Sequence, residues 1–336
     1  MGKNDPNGME SRRMAETASD LVPVTVLTGF LGAGKTTLLN RILTENHGRR
    51  YAVIVNEFGE LGVDNDLVVD VDEEVFEMNN GCICCTVRGD LIRIMNGLMK
   101  RRDRFDGILI ETTGLADPAP VAQTFFADEF VRSRTRLDAV ITVVDAKHLF
   151  ERLGDSPEAA EQIAFADVVV INKTDLVSPA ELEAVEARVR AINPFARQFR
   201  AIRGAVPIGE LLDIGAFDLN RILERDPDFL TDDSHQHNEE LVSMSFEVER
   251  EIDPEKFNAW ITTVLTTQGQ DILRSKGILY HPGETRRFAF QAVHMMAEGD
   301  FIPPRPNDPR RSRIVFIGRN LNRPQLRRGF EACQVA

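Results

Sequence analysis

The chain has 336 residues, 43% of them hydrophobic, and carries 53 Asp and Glu against 40 Lys and Arg, a formal net charge of −13. The length favours two domains with room for a real core. The acidic balance argues against nucleic acid as the main partner, because neutralising phosphates needs a basic face; with no signal peptide or long apolar run, the expectation is a soluble, cytoplasmic protein with no membrane partner.

Residues 1–20 are polar and without apolar period, and read as a disordered extension. Met1-Gly2 resembles a myristoylation start, but Pro6 stands where Ser or Thr is required. The first strand is the apolar run over 22–27, followed directly by Gly29-Phe-Leu-Gly-Ala-Gly-Lys-Thr36. This is a phosphate-binding P-loop in the context the motif needs, a strand leading in and a helix leading out through Leu38, Leu39 and Ile42. Gly29, Gly32, Ala33 and Gly34 let the backbone curl so that N–H groups face the phosphates. Lys35 would reach the β and γ oxygens and the Thr36 hydroxyl would hold Mg²⁺, with Thr37 completing the candidate nucleotide-binding run.

A strand over 51–55 leads to Asn56-Glu-Phe-Gly-Glu60, a candidate switch loop. Gly81-Cys82-Ile83-Cys84-Cys85 then holds all but one of the four cysteines. Clustered thiols in a reducing compartment read as metal ligands or redox groups. Three thiolates within four residues supply soft ligands to Zn²⁺ and leave a fourth position open for another group or for transfer; a redox pair or a structural cluster are the alternatives. Cys333 reads as incidental. The cluster precedes a helical stretch over 86–100, so metal held there would sit on an element that a γ-phosphate could move, coupling the two ligands.

Gly107-Ile-Leu-Ile-Glu-Thr-Thr-Gly114 is another strand ending in polar residues. Glu111 stands where P-loop proteins keep a carboxylate for the Mg²⁺ shell, and Gly114 could sense the γ-phosphate through its N–H; the plainer reading of Glu111 is a strand cap. After a strand over 139–144, four β-branched residues lead into Asn172-Lys-Thr-Asp175 at the carboxyl end of a buried strand over 168–172, where ligands of open α/β sheets bind. The Asp175 carboxylate can accept from the N1–H and amino group of guanine, and adenine offers no matching donor pair, so GTP is favoured over ATP. Lys173 would lie along the base.

Ser178-Pro179-Ala180-Glu181 is a capping box with proline in the first turn. A strand over 196–201 closes the alternating βα pattern of a parallel sheet wrapped by helices. The P-loop domain is placed at 21–222, an acidic linker with Pro227 at 223–240, and a smaller α+β domain at 241–336. In the latter, 242–248, 287–295 and 312–317 read as strands and 254–266 as a helix. Trp260, His281 and His294 read as packing or surface residues, and Arg305, Arg310, Arg311 and Arg313 as a solvated loop.

Five motifs in order resemble the CobW-type GTPases, a branch of the metal-handling P-loop GTPases: the run from Gly29 to Thr37, Asn56 to Glu60, Asn80-Gly-Cys-Ile-Cys-Cys85, Glu111-Thr-Thr-Gly-Leu-Ala-Asp-Pro118, and Asn172 to Asp175. The resemblance implies a Mg²⁺-dependent GTP hydrolase that acts as a metallochaperone. The GTP-bound protein would take up Zn²⁺ through Cys82, Cys84 and Cys85, with Co²⁺ or iron as alternative cargo. Hydrolysis would loosen the site so that metal passes to a client protein. Insertion of cobalt for cobalamin synthesis, metal delivery to a nitrile hydratase, a regulatory GTPase with structural cysteines, and a small-molecule kinase using the P-loop, which the Asn172–Asp175 motif argues against, are the rival readings. The chain departs from the pattern where many members carry a His-rich tract: only His235 and His237 stand there, in an acidic loop.

Overall fold

The computed structural model describes residues 21–55, 75–77, 85–216, 241–304 and 309–335. The expectations for residues 1–20, the loop 56–60, Cys82, Cys84, the linker 223–240 with its two histidines, and Arg305 lie outside these. Strand β1 (Val22–Thr28) is the middle of a seven-stranded sheet. It is joined by β2 (Tyr51–Val55), β3 (Val75–Glu77), β4 (Gly107–Glu111), β5 (Thr135–Asp145), β6 (Val168–Asn172) and β7 (Arg197–Arg200). The order is β3-β2-β4-β1-β5-β6-β7, and every neighbouring pair is parallel. Strands covered on both faces must be apolar throughout, and β4 and β6 are buried at every position. Pro23 is tolerated in this central strand beside a register shift between Val24 and Thr25.

Helices α1 (Lys35–Thr44), α2 (Cys85–Met99), α3 (Ala119–Ala127), α4 (Glu129–Arg132), α5 (Leu149–Asp155), α6 (Pro157–Phe165) and α7 (Pro179–Ile192) supply the crossovers. Leu38, Leu39 and Ile42 of α1 pack with Leu27, Val53 and Leu109 on one face. Leu91, Met95 and Leu98 of α2, Val121 and Phe125 of α3, Ile163 of α6 and Val189 of α7 pack with Val24, Val26, Ile110 and Ile171 on the other. The capping box of α7 is formed, with Ser178 and Glu181 each bonding the other's backbone. The sheet order reverses around β1, so the carboxyl ends of β4, β1, β5 and β6 line the crevice where such sheets bind ligands.

The second unit is an antiparallel sheet of order β11-β10-β9-β12-β8. Its strands are β8 (Leu241–Val248), β9 (Ile272–Leu279), β10 (Arg287–Val293), β11 (Met296–Ile302) and β12 (Ser312–Arg319), with helices α8 (Pro254–Gln268) and α9 (Arg323–Ala332). Phe246, Phe257, Phe290, Phe316 and Phe330 form its own core, with Trp260 packed against Phe316 and Phe330. The molecule is thus an α/β P-loop NTPase-type fold followed by a smaller α+β unit. The two are not separate lobes. Leu241, Leu273, Val293, Val315 and Ile317 of the second sheet belong to the same apolar cluster as α2, α3 and α6.

Three sequence expectations change here. The single strand expected over 287–295 is two, folded back at His294, which has a left-handed φ of 51°. Strand β5 starts at Thr135 rather than 139, because the buried Asp138 accepts amide hydrogen bonds from Ile214 and Gly215 and so tolerates a central strand. The arginines read as a solvated loop are largely in ion pairs: Arg310 meets Glu251 at 2.6 Å, Arg311 meets Glu247 at 2.8 Å, and Arg313 meets Glu247 at 2.5 Å. Among the described residues no helix is long and apolar enough to cross a membrane.

Candidate functional site

The loop between β1 and α1 is shaped by its glycines. Gly29 has φ 138°, and a Cβ there would lie 2.2 Å from the Val143 carbonyl oxygen. Gly34 has φ 107°, and its Cβ would fall 2.4 Å from Nδ2 of Asn172. Gly32, φ 75°, has open space around it. Ala33 is buried, and Thr37 is exposed one residue past Thr36.

Lys35, 8% exposed, donates from Nζ to the carbonyls of Gly29 at 2.8 Å and Phe30 at 3.3 Å. Burial pushes its pKa down and the nearby Glu111 carboxylate partly restores it. The Thr36 hydroxyl donates to Oε1 of Glu111 at 3.2 Å. This brings a hydroxyl and a carboxylate, the hard oxygen donors that Mg²⁺ takes, to one point at the head of α1. Gly114, in the loop after β4, lies against the P-loop: a Cβ on it would sit 2.6 Å from the Leu31 amide nitrogen.

Asn172, the last residue of β6, is 2% exposed and acts as a brace. Its Nδ2 donates to the Ala33 carbonyl at 2.9 Å, and its Oδ1 accepts from the Gly204 amide at 2.9 Å. Lys173 follows in the left-handed region, φ 60°, and its Nζ donates to Oδ2 of Asp145 at 2.7 Å. Asp175 stands exposed in the short helical turn Thr174–Leu176. Thr174 is bonded through both its amide and hydroxyl to the Ala201 carbonyl, so the segment 201–204 is the neighbouring wall.

A cleft bordered by Phe30 to Ala33, Asp145, His148, Arg152, Gln162 and Lys173 runs beside the P-loop. Several of these residues were not read from the sequence. Asp145 ends β5 as Glu111 ends β4. Burial raises its pKa, but hydrogen bonds from Lys173, His148 and the Lys147 amide outweigh that and hold it below the usual value. Its place at the carboxyl end of a strand was the available signal. Arg152 lies with its guanidinium 5.3 Å from the Phe30 ring centroid. Gln162 and the segment 201–204 carried no local signal.

The structure therefore gathers Gly29, Gly32, Ala33, Gly34, Lys35, Thr36, Glu111, Gly114, Asn172 and Lys173 at one end of the sheet. Cys82 and Cys84 lie outside the described residues, and Cys85 is the first residue of α2. Among the described residues no group of three His, Cys, Asp or Glu could hold a metal.

Residues 23–200 match the CobW/HypB/UreG nucleotide-binding domain, and residues 241–334 match the cobalamin synthesis protein CobW C-terminal domain. The chain belongs to the CobW/HypB/UreG family. It is 36% identical over 314 residues to the zinc chaperone YjiA of Escherichia coli K12, covering 92% of this chain and 98% of that one. It is 35% identical over 352 residues to the zinc-regulated GTPase metalloprotein activator 1 of Schizosaccharomyces pombe, covering 92% and 85%. The solved structure of Zn(II)-bound YjiA GTPase from E. coli superposes with a TM-score of 0.75 at 31% identity, over 94% of this chain and 99% of that one.

Proposed function

We propose that this protein is a Mg²⁺-dependent GTP hydrolase that couples nucleotide state to uptake of Zn²⁺ and its transfer to a client protein. The observation that carries the reading is the Asn172 brace. One side chain ties the P-loop at Ala33 to the end of β6, which Lys173 and Asp175 follow, and to the wall at Gly204, which supports reading the phosphate cradle and the base-reading carboxylate as one site. GTP binds with Gly29 to Thr37 around its phosphates, Lys35 leaving its two carbonyls for phosphate oxygens, and Asp175 taking the guanine edge. Lys173, anchored by Asp145, lies along the base, and Gly114 presents its N–H toward the γ-phosphate. Thr36 and Glu111 would hold Mg²⁺, which neutralises charge on the β and γ oxygens when bound.

Zn²⁺ is the cargo, and its ligands are Cys82, Cys84 and Cys85. Support comes from the soft thiolate donor set, from the names of the zinc-handling relatives, and from the path of the chain. Cys85 opens α2, α2 packs on α3 through Leu91, Met95, Val121 and Phe125, and α3 follows the Gly114 loop. Metal and γ-phosphate therefore act on elements that share a core. The protein works in the cytoplasm, with GTP and a metal-receiving client as its partners.

The deciding experiment is a Zn²⁺ titration against a competing chelator with Mg²⁺-GTPγS, with Mg²⁺-GDP and without nucleotide. Tightening by about tenfold or more with the GTP analogue, about 1.4 kcal/mol of coupling, is expected. Equal affinity in all three states would remove the cysteines from any nucleotide switch and leave a regulatory GTPase. Repeating the titration with Co²⁺ in competition distinguishes the cargo.

A further inference from the structure

Helix α6 carries two buried polar residues in succession, Glu161 at 8% and Gln162 at 1% exposure. A buried amide is kept only where its hydrogen bonds are made. Gln162 Nε2 donates to the carbonyls of Gly114 and Ala116, both at 3.1 Å. Both bonds land on the loop expected to meet the γ-phosphate, which itself abuts the P-loop at Leu31.

The same stretch of chain holds the second sheet. Glu161 pairs with Arg319 at the end of β12. The Phe165 ring lies 5.6 Å from that of His294, and the Phe165 carbonyl accepts from the Arg274 guanidinium of β9. Asp167, two residues on, pairs with both Arg274 and Lys276. Helix α6 is also fixed to the parallel sheet, since Thr142 Oγ1 donates to the Gln162 carbonyl at 2.7 Å. Helix α3, at the other end of the Gly114 loop, packs on β10 and β11.

Building on the nucleotide reading above, we propose that Gln162 is a positioning residue that joins the Gly114 loop to the C-terminal sheet, making nucleotide state and the seating of that sheet one linked equilibrium. A shift of Gly114 toward a γ-phosphate either carries Gln162 and α6 with it or leaves a buried amide unsatisfied, which is costly. Movement of α6 is felt at Glu161–Arg319 and at Asp167. By reciprocity, a client that pulls on the C-terminal sheet changes GTP affinity.

The test uses the full-length chain. Amide hydrogen exchange across β9 and β10 is followed with saturating Mg²⁺-GTPγS and without it, with analogue affinity measured in parallel. In wild type the analogue is expected to change exchange there by about fivefold or more, and in Gln162→Met, which fills the space without donors, by less than about twofold. Arg319→Ala, altered at the partly exposed far end of the link, is expected to blunt the response as well, and it serves if Gln162→Met does not fold. A glutamine with a merely structural role would lower the unfolding midpoint in Gln162→Met yet leave the exchange response intact, and that result overturns the proposal. Wild-type protein that binds GTPγS with no change in β9 and β10 overturns it alone. Wild-type protein that binds no GTPγS overturns the nucleotide reading and this proposal with it.

Discussion

Replacing Asp167 by Asn removes one charge and almost no volume, so its effect isolates the ion cluster that ties β9 to the parallel sheet. The Asp167 side chain is 2% exposed, against 1% for Arg274 and 6% for Lys276. Its Oδ1 meets both cations, Lys276 Nζ at 3.1 Å, while Oδ2 accepts the Val140 amide at 2.9 Å. Breaking a buried ion pair by removing one partner costs about 3–5 kcal/mol. The lower part of that range is expected, because Lys276 has an escape. Burial, with the Arg274 charge beside it, has already pushed its pKa down to about 8. Without Asp167 the pKa falls further and Lys276 sheds its proton, and a tenfold change in its proton affinity corresponds to about 1.4 kcal/mol.

Proton counts fix the sign of the pH dependence. Between the folded value near 8 and the unfolded value of 10.5, the unfolded chain binds more protons, so the penalty of burying Lys276 is full below pH 8 and is relieved as pH rises toward 10.5. Above pH 8 Lys276 is neutral with or without Asp167. The cost of Asp167→Asn should therefore be about 3–4 kcal/mol at pH 7 and about 1 kcal/mol smaller at pH 9. Urea unfolding at both pH values measures it, followed by far-UV circular dichroism and by fluorescence of Trp260, the chain's only tryptophan. An unchanged midpoint at pH 7, or a cost that grows with pH, would refute the reasoning.

Gly29→Ala puts a Cβ 2.2 Å from a backbone oxygen at φ 138°; the backbone strain alone is about 1–3 kcal/mol, so the melting temperature should drop and fluorescent GTP-analogue binding should be lost together. Asp175→Asn offers guanine one donor where it needs two acceptors. GTP affinity should fall about a hundredfold or more, while xanthosine triphosphate, with a carbonyl in place of the amino group, should bind better to the variant than to wild type; equal losses for both nucleotides would remove Asp175 from base recognition. Thr36→Ala removes the hydroxyl bonded to Glu111, and the Mg²⁺ concentration for half-maximal turnover should rise about tenfold or more, read from a metal titration of phosphate release.

The nucleotide end was legible because its chemistry is contiguous: eight residues from Gly29 and four from Asn172 each follow an apolar strand. The supports were not, since each acts across the chain. Lys173 reaches Asp145 over 28 residues, Gly204 reaches Asn172 over 32, and Gln162 reaches Gly114 over 48. Strand β9 was hidden for a related reason. Ile272-Leu-Arg-Ser-Lys-Gly-Ile-Leu279 is buried at every position, yet carries two cations where a strand pattern asks for apolar residues. Those cations are the partners of Asp167, which no local pattern announces. Helix α9 buries only Leu326 and Phe330, one turn apart in an otherwise polar run, too narrow a stripe to stand out.

The polar groups of the nucleotide site are bonded to one another, and that shapes how the site can switch. Lys35 holds two carbonyls and Thr36 holds Glu111, so ligand binding exchanges partners for these groups. The bonds given up already involve charged groups and are about twice as strong as neutral ones of about 1 kcal/mol, so only a ligand that brings full opposite charge, such as a triphosphate with Mg²⁺, gains by the exchange. Discrimination between GTP and GDP must then come from the part of the site that the γ-phosphate alone can reach. On the function proposed above, that part is the Gly114 loop, which lies between Leu31 of the P-loop and Gln162 of α6, with α3 leaving its far end. One way out leads through α3 and α2 to Cys85, the other through α6 to β9. Under the proposed coupling a small movement of this loop would reach both, because each route is packed side chains and satisfied buried bonds, which shift as units rather than stretch.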